Sequence, residues 1–235
     1  MTTVDPRAAT APFADPSAKP LRADAERNRL RILDAARELF AQRGPDVTLD
    51  DIAAHAGVGV GTVYRRFANR DELLEAIVTE HFGHVHARVQ QALDSDDAWE
   101  GIVDLVTFVS ESMATDRGLA AVMMRVDPCA ASVERAKESL TALVDEVFER
   151  GRRTGVLRED IVESDFFAIF CMVRSIADLT ETSVPGTWRR YLSLLLDSIR
   201  ADGIRLPLTV PALTKDQIHA AKHGRSGDCS GTRGL

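Results

Sequence analysis

Apolar residues set the first element. Leu30, Ile32, Leu33, Ala36, Leu39 and Phe40 recur three and four positions apart, a spacing that lays them along one face of a helix. Gly44 stands where such a helix ends, because glycine accepts the left-handed conformation that closes the last turn. Thr48 and Asp51 have the spacing of a weak capping box ahead of Ile52 and Ala53. Gly57 stops this second helix after barely two turns. Gly59 or Val60 opens a third that runs to about Phe67. Asn69 and Glu72 are spaced as N-cap and third helical residue of a fourth, with Leu73, Leu74, Ile77 and Val78 on its buried face.

Longer helices are expected beyond, at roughly 97–115, 118–126, 132–153, 160–181 and 188–202. The breaks fall at Gly118, Asp127-Pro128, Gly151 to Gly155 and Pro185-Gly186. No segment alternates like a hairpin strand, and the short apolar stretch near Leu206 reads as loop. The fold class is therefore all-α. Its N-terminal part is a three-helix, helix-turn-helix unit, and a larger helical domain follows. The expected organisation is a disordered arm over 1–20, a small helical domain over 21–86, a larger one over 87–208 and a disordered tail over 209–235. The arm carries Pro6, Pro12, Pro16 and Pro20, and the tail carries four late glycines, without an apolar stripe in either.

Charge changes this picture in one respect. The 235 residues carry 29 Lys and Arg against 36 Asp and Glu, a net of -7, which is a poor prior for binding nucleic acid. The excess is uneven, however: residues 19–90 balance at 11 basic and 11 acidic, whereas 91–208 hold 13 basic and 21 acidic. The acidity belongs to the second domain. Three cysteines, Cys129, Cys171 and Cys229, stand far apart with no CxxC, which is neither a disulfide framework nor a zinc knuckle. They suit a reducing compartment. With no signal-peptide pattern at the N-terminus and no run of 18 apolar residues, a cytoplasmic protein without membrane attachment is expected.

The chemistry concentrates in residues 48–67, TLDDIAAHAGVGVGTVYRRF. Two short helices joined by the turn Ala56-Gly57-Val58 follow the helix-turn-helix plan, with Ile52, Ala53, Val58, Val63 and Phe67 inward. Val60, Gly61, Thr62, Tyr64, Arg65 and Arg66 point outward in various directions. Three arginines and no acid lie between 58 and 70. A helix N-terminus with hydroxyls and arginines beside it suits phosphates and a major groove.

These residues resemble the N-terminal domain of the tetracycline-repressor (TetR) family of bacterial regulators. The resemblance covers about 26–82 and rests on Leu39-Phe40, Gly44, Thr48, Ile52-Ala53, Ala56-Gly57-Val58, Gly61-Thr62-Val63-Tyr64, Phe67 and Asn69-Arg70-Asp71-Glu72-Leu73. It implies that Thr48 and Tyr64 hold phosphates and that the helix start at 59–65 meets base edges. Gly59 replaces the family's frequent Ser N-cap, Arg66 replaces a frequent phosphate-touching His, and Arg70 replaces a Lys. The partner implied is double-stranded DNA with a roughly palindromic operator, bound by a homodimer. The competing reading is a helical effector- or partner-binding protein whose N-terminal bundle no longer binds an operator.

For the larger domain the resemblance implies dimerisation and a small organic effector. Residues 164–178 and 188–199 are apolar on broad faces and are the expected dimer helices. Pocket candidates are Trp99, Val103, Phe108, Met113, Met123, Met124, Phe148, Phe167, Cys171 and Met172, with Arg125 and Arg174 as partners for an acid. Few carboxylates face that set, so the expected effector is apolar or weakly acidic and the expected activity is a repressor released by it. His81 and His84 can share one side of the fourth helix and His86 turns away, so no third metal ligand is at hand. No GxSxG, HExxH, GxGxxG or Walker pattern occurs, and neither an enzyme nor a cofactor is expected.

Overall fold

The computed structural model describes residues 18–123, 125–127, 129–203 and 206–223. The helices are α1 (Ala18–Arg43), α2 (Leu49–Ala56), α3 (Val60–Arg66), α4 (Arg70–Asp94), α5 (Ala98–Thr115), α6 (Arg117–Met123), α7 (Ala131–Arg153), α8 (Glu163–Thr180), α9 (Trp188–Ile199) and α10 (Lys215–His223). A 3₁₀ turn, Gly44–Asp46, separates α1 from α2. Among the described residues there is no sheet, only one antiparallel bridge between Leu157 and Arg200. The all-α expectation holds.

Local chemistry explains most of the boundaries. Gly44 and Gly57 both take positive φ, 72° and 65°, at the ends of α1 and α2. Asn69 Oδ1 accepts the Glu72 N–H at 2.9 Å, and Glu72 in return takes the N–H of Ala68. Asp97 caps α5 through the N–H groups of Trp99 and Glu100. The far end of α4 is closed by another helix: Arg150 of α7 donates to the carbonyls of Ala92, Leu93 and Ser95, at 2.9, 3.2 and 2.5 Å. These are carbonyls the helix cannot satisfy itself.

Three details depart from the sequence reading. Gly118 does not break a helix but lies inside α6. Asp116 caps α6 at the Leu119 N–H (2.7 Å), and Gly118 lets α6 close on α1: a Cβ there would stand 2.0 Å from the Arg37 carbonyl oxygen. The tail expected to be irregular contains α10, started by reciprocal bonds between Thr214 and Gln217 (2.9 and 3.2 Å). Residues 1–17 and 224–235 of the expected arm and tail lie outside the described residues. Cys129 is disulfide-bonded, against the expectation of separate thiols, since distance along the chain sets no limit on approach in space.

Two hydrophobic cores form. The first unites α1–α4, including Ile32, Leu39, Ile52, Val63 and Leu73, and it also takes Leu119 and Val122 from α6, Val126 from the segment after it and Val133 from α7. The second gathers Val85, Val89, Ile102, Val106, Phe148, Phe166, Val173, Trp188 and Leu196 from α4, α5 and α7–α9. Helix α4 belongs to both and crosses the expected boundary at 86/87 without interruption.

Candidate nucleic-acid interface

The α2–α3 pair forms because its inward positions are small or branched and apolar. Ile52, Ala53 and Val63 are fully buried, and Gly57 supplies the turn. Arg31 of α1 donates to the Ala56 carbonyl at 2.9 Å and so ties the end of α2 to the scaffold. Of the expected outward residues, Gly59, Val60, Gly61, Tyr64, Arg65 and Arg66 are exposed and Thr62 is half-buried. A Cβ at Gly61 would meet nothing within 4 Å, so the start of α3 offers an unobstructed backbone surface.

Several donors are already engaged. Thr48 completes a full capping box, stronger than its sequence suggests. Its hydroxyl donates to Asp51 Oδ2 (2.6 Å) and accepts the Asp51 N–H (3.1 Å), while its own N–H donates to Asp51 Oδ2 (2.9 Å). Those bonds hold the Asp51 carboxyl below its ordinary pKa. Arg65 donates to Thr62 Oγ1 at 3.2 Å, and Arg66 stands 3.8 Å from Glu26. Tyr64 lies beside Asp50, whose charge, ahead of desolvation and a hydrogen bond, raises the phenol above its ordinary value. Tyr64 thus keeps its proton as a donor. Sequence reasoning passed over Asp50; its place in the first turn of α2, facing an outward tyrosine, was the available signal. Arg70 behaves differently from its neighbours. Its guanidinium lies over the Phe40 ring, 5.3 Å from the centroid, with Nε and Nη2 buried and unpaired, so it packs inward.

The expected effector residues do not meet in one place. Met113 and Met123 pack on the first core, whereas Trp99, Val103, Phe108 and Phe148 belong to the second. Phe148 stacks on Phe166 at 3.9 Å. Phe167 is half-buried, and Cys171 and Met172 are exposed on α8. Arg125 is exposed and bonds the Ala121 carbonyl (3.1 Å); Arg174 bonds Asp178 and the Met113 carbonyl, both at 2.7 Å. Met124 lies outside the described residues. Helical spacing placed these residues on their helices, and packing then turned them toward different neighbours.

Of the effector candidates, Phe108 lines a cleft. That cleft holds about 280 Å³ and opens where α1, α4, α5 and α6 meet, bounded by Arg37, His81, His84, Phe108, Glu111, Ser112, Thr115, Asp116 and Leu119. A second cleft, about 320 Å³, lies between α1, α3, α4 and α7 and is lined by Arg29, Arg66, Glu72, Glu75 and Ser132 among others. His81 is buried at 6% exposure. Burial, and after it the nearby His84, lowers its pKa to about 4, so its imidazole is neutral at neutral pH.

The packed α2–α3 pair, the Gly57 turn between them and the outward start of α3 define a helix-turn-helix reading head mounted on a helical domain. The profile described as "Bacterial regulatory proteins, tetR family" matches residues 32–77. Over 191 residues the chain is 30% identical to the HTH-type transcriptional repressor KstR2 of Rhodococcus jostii, covering 73% of this chain and 90% of that protein. It is 39% identical over 82 residues to the HTH-type regulator TtgW of Pseudomonas putida, a match that spans 34% of this chain and 61% of TtgW, less than two thirds of that relative. A solved TetR regulatory protein from Mycobacterium vanbaalenii superposes with a TM-score of 0.54 at 28% identity, over 77% of this chain and 99% of the other. The chain belongs to the TetR family of bacterial regulatory proteins. Among the described residues no helix is long and apolar enough to cross a membrane.

Proposed function

We propose that the chain is a sequence-specific DNA-binding transcriptional regulator, a homodimeric repressor released by a small apolar or weakly acidic effector. One observation carries the reading: the exposed start of α3, with Val60, Gly61, Tyr64, Arg65 and Arg66 outward and no acid of its own, mounted on a capped, buried turn. In this reading Tyr64, Arg65 and Arg66 serve phosphates and Gly59 to Thr62 approach base edges. Thr48 keeps its hydroxyl in the capping box, and the free backbone N–H groups of the α2 start take the phosphate role in its place. Arg70 braces Phe40 and contributes through its remaining nitrogen.

Dimerisation is supported by α8 and α9. Each buries one face, yet Leu179 (76%), Leu194 (57%), Met172 and Tyr191 stay exposed on the chain alone. The repressor direction is supported by the relative KstR2, which carries that name. Effector control is supported by the cleft at α1, α4, α5 and α6, because a molecule there touches both domains. Asp116 and Leu119 flank the α6–α1 contact that Gly118 makes so close.

The test is a salt titration of duplex binding, with operator candidates drawn from the flanking DNA. Wild type should bind with a negative salt slope, and Arg66→Ala should lower that slope by about 1 while weakening all duplexes alike. A folded dimer that binds no duplex at low salt would leave only the effector- or partner-binding reading.

A further inference from the structure

Charged side chains form a continuous chain from the first cleft to α3, each within ion-pair distance of the next. Arg37 of α1 lines the 280 Å³ cleft, and its Nη1 lies 4.0 Å from Glu80 Oε2 on α4. The other oxygen of Glu80 lies 3.7 Å from Arg29 Nη1, back on α1. That same nitrogen lies 3.4 Å from Glu26 Oε1, and Glu26 Oε2 lies 3.8 Å from Arg66 Nη2 on α3. Positive and negative groups alternate throughout. Arg29, Leu33 and Arg37 follow one another at four-residue spacing, so they share a face of α1, and Leu33 is fully buried there.

The contacts are loose in a way that permits exchange. The Glu80 side chain is 9% exposed, yet its Oε2 has no hydrogen bond. A buried carboxylate so incompletely held draws on whichever guanidinium is free to approach. Arg37 has a second claimant, Asp34, one turn back on its own helix. Arg29 shares one nitrogen between Glu26 and Glu80, both farther than the about 2.8 Å of a tight charged hydrogen bond. A shift of that guanidinium toward one carboxylate loosens the other.

We propose that Arg37, Glu80, Arg29 and Glu26 form an electrostatic relay that sets how free Arg66 is to meet a phosphate, with its inlet at the cleft and its outlet on α3. These four are positioning residues, and Arg66 is the one that meets DNA. The signs follow from the alternation. When the Arg37 charge is lost, Glu80 closes on Arg29, Arg29 leaves Glu26, and Glu26 closes on Arg66, so duplex binding weakens. When Glu80 is neutralised, Arg29 closes on Glu26 and Arg66 is released, so binding strengthens. Because Arg37 lines the cleft, a ligand group that engages its guanidinium acts in the same direction as loss of its charge. This inference rests on the DNA-binding reading above and supplies a route by which the cleft reaches α3.

The experiment uses the full chain and a random-sequence duplex, because a contact between arginine and phosphate does not depend on sequence. Binding is followed by fluorescence anisotropy across a salt series, with circular dichroism confirming that each variant is folded at the temperature used. Arg37→Gln should weaken binding and Glu80→Gln should tighten it, each by about threefold. Arg37→Lys, which keeps the charge, should bind as wild type does. Neutralising any charge changes duplex affinity at a distance in these same directions, so the deciding measurement is the cycle with Arg66→Ala. In that background both effects should vanish. Their persistence there would mark them as general electrostatics and overturn the relay. Weakening by both substitutions would mark a merely structural role and overturn it too, as would no change from either. Should Glu80→Gln fail to fold, Glu26→Gln acts at the outlet from an exposed position and carries the same prediction. Wild type that binds no duplex at low salt would overturn the DNA-binding reading itself, and the relay with it.

Discussion

The two cores are built from the same kinds of side chain but differ in ownership. The second draws on α4, α5 and α7–α9, with Leu157 and Ile161 from the segment between α7 and α8. The first is completed by Leu119, Val122, Val126 and Val133, which lie beyond the expected domain boundary. The reading head therefore is not a unit that merely sits beside a regulatory domain. Part of the regulatory domain is inside it, and a displacement of α6 is felt as a packing defect in the head's own interior. Because cores are close-packed, such a displacement cannot be absorbed gradually.

The largest test of this asymmetry is Phe148→Ala. Phe148 is buried and stacked on Phe166 in the second core, and truncation should cost about 3–5 kcal/mol. If the cores were independent, urea unfolding followed by a probe in α1–α3 would keep its wild-type midpoint. Shared ownership predicts that both halves shift together.

Next in size is the pH response of His81, which sits where the two cores meet on α4. Its folded pKa of about 4 lies below the ordinary 6.5, so the unfolded chain takes up the proton first. Stability from this group is complete above pH 6.5 and is lost as pH falls toward 4, by roughly 3 kcal/mol. His81→Leu should flatten that part of the stability profile, measured against wild type in the same buffers. An unchanged difference between the two proteins across the window would show that the imidazole is hydrated.

Gly118→Ala tests the contact between α6 and α1. With the new Cβ at 2.0 Å from the Arg37 carbonyl, the helices must separate, at about 2 kcal/mol. Duplex affinity should fall along with stability. A variant that loses stability but binds duplex as wild type does would show that the head tolerates movement of α6, contrary to the shared core.

The smallest expected effect is Thr48→Ala, which removes the α2 capping hydroxyl for about 1 kcal/mol. It should loosen the head alone, seen as faster amide exchange in α2 with α7–α9 unchanged.

Much of this architecture was legible in the residue order because helix ends are written locally. Gly44, Gly57 and Asn69 each announce a boundary that the structure keeps. What sequence could not supply is direction in space. Leu30 fits the apolar stripe of α1 but is exposed, and the Arg70 guanidinium, at the head of α4, lies over the Phe40 ring, which the residue order does not show. Gly118 reads as a break and is instead a close approach between helices distant in sequence. The effector candidates scattered for the same reason: periodicity fixes which side of a helix a residue is on, and only the neighbours decide what that side meets.

The arginine that closes the end of α4 has a mechanical consequence. With three terminal carbonyls held by Arg150, that end is fastened to α7 and cannot fray, while the opposite end of the same uninterrupted rod carries the turn that leads back to α3. At 1.5 Å per residue the rod's 25 residues measure about 37 Å, so tilting it by about 5° at the fastened end swings the other by about 3 Å. Arg150 is the fulcrum of a lever, and its grip sets how much of a small movement in the acidic domain arrives at the surface of α3.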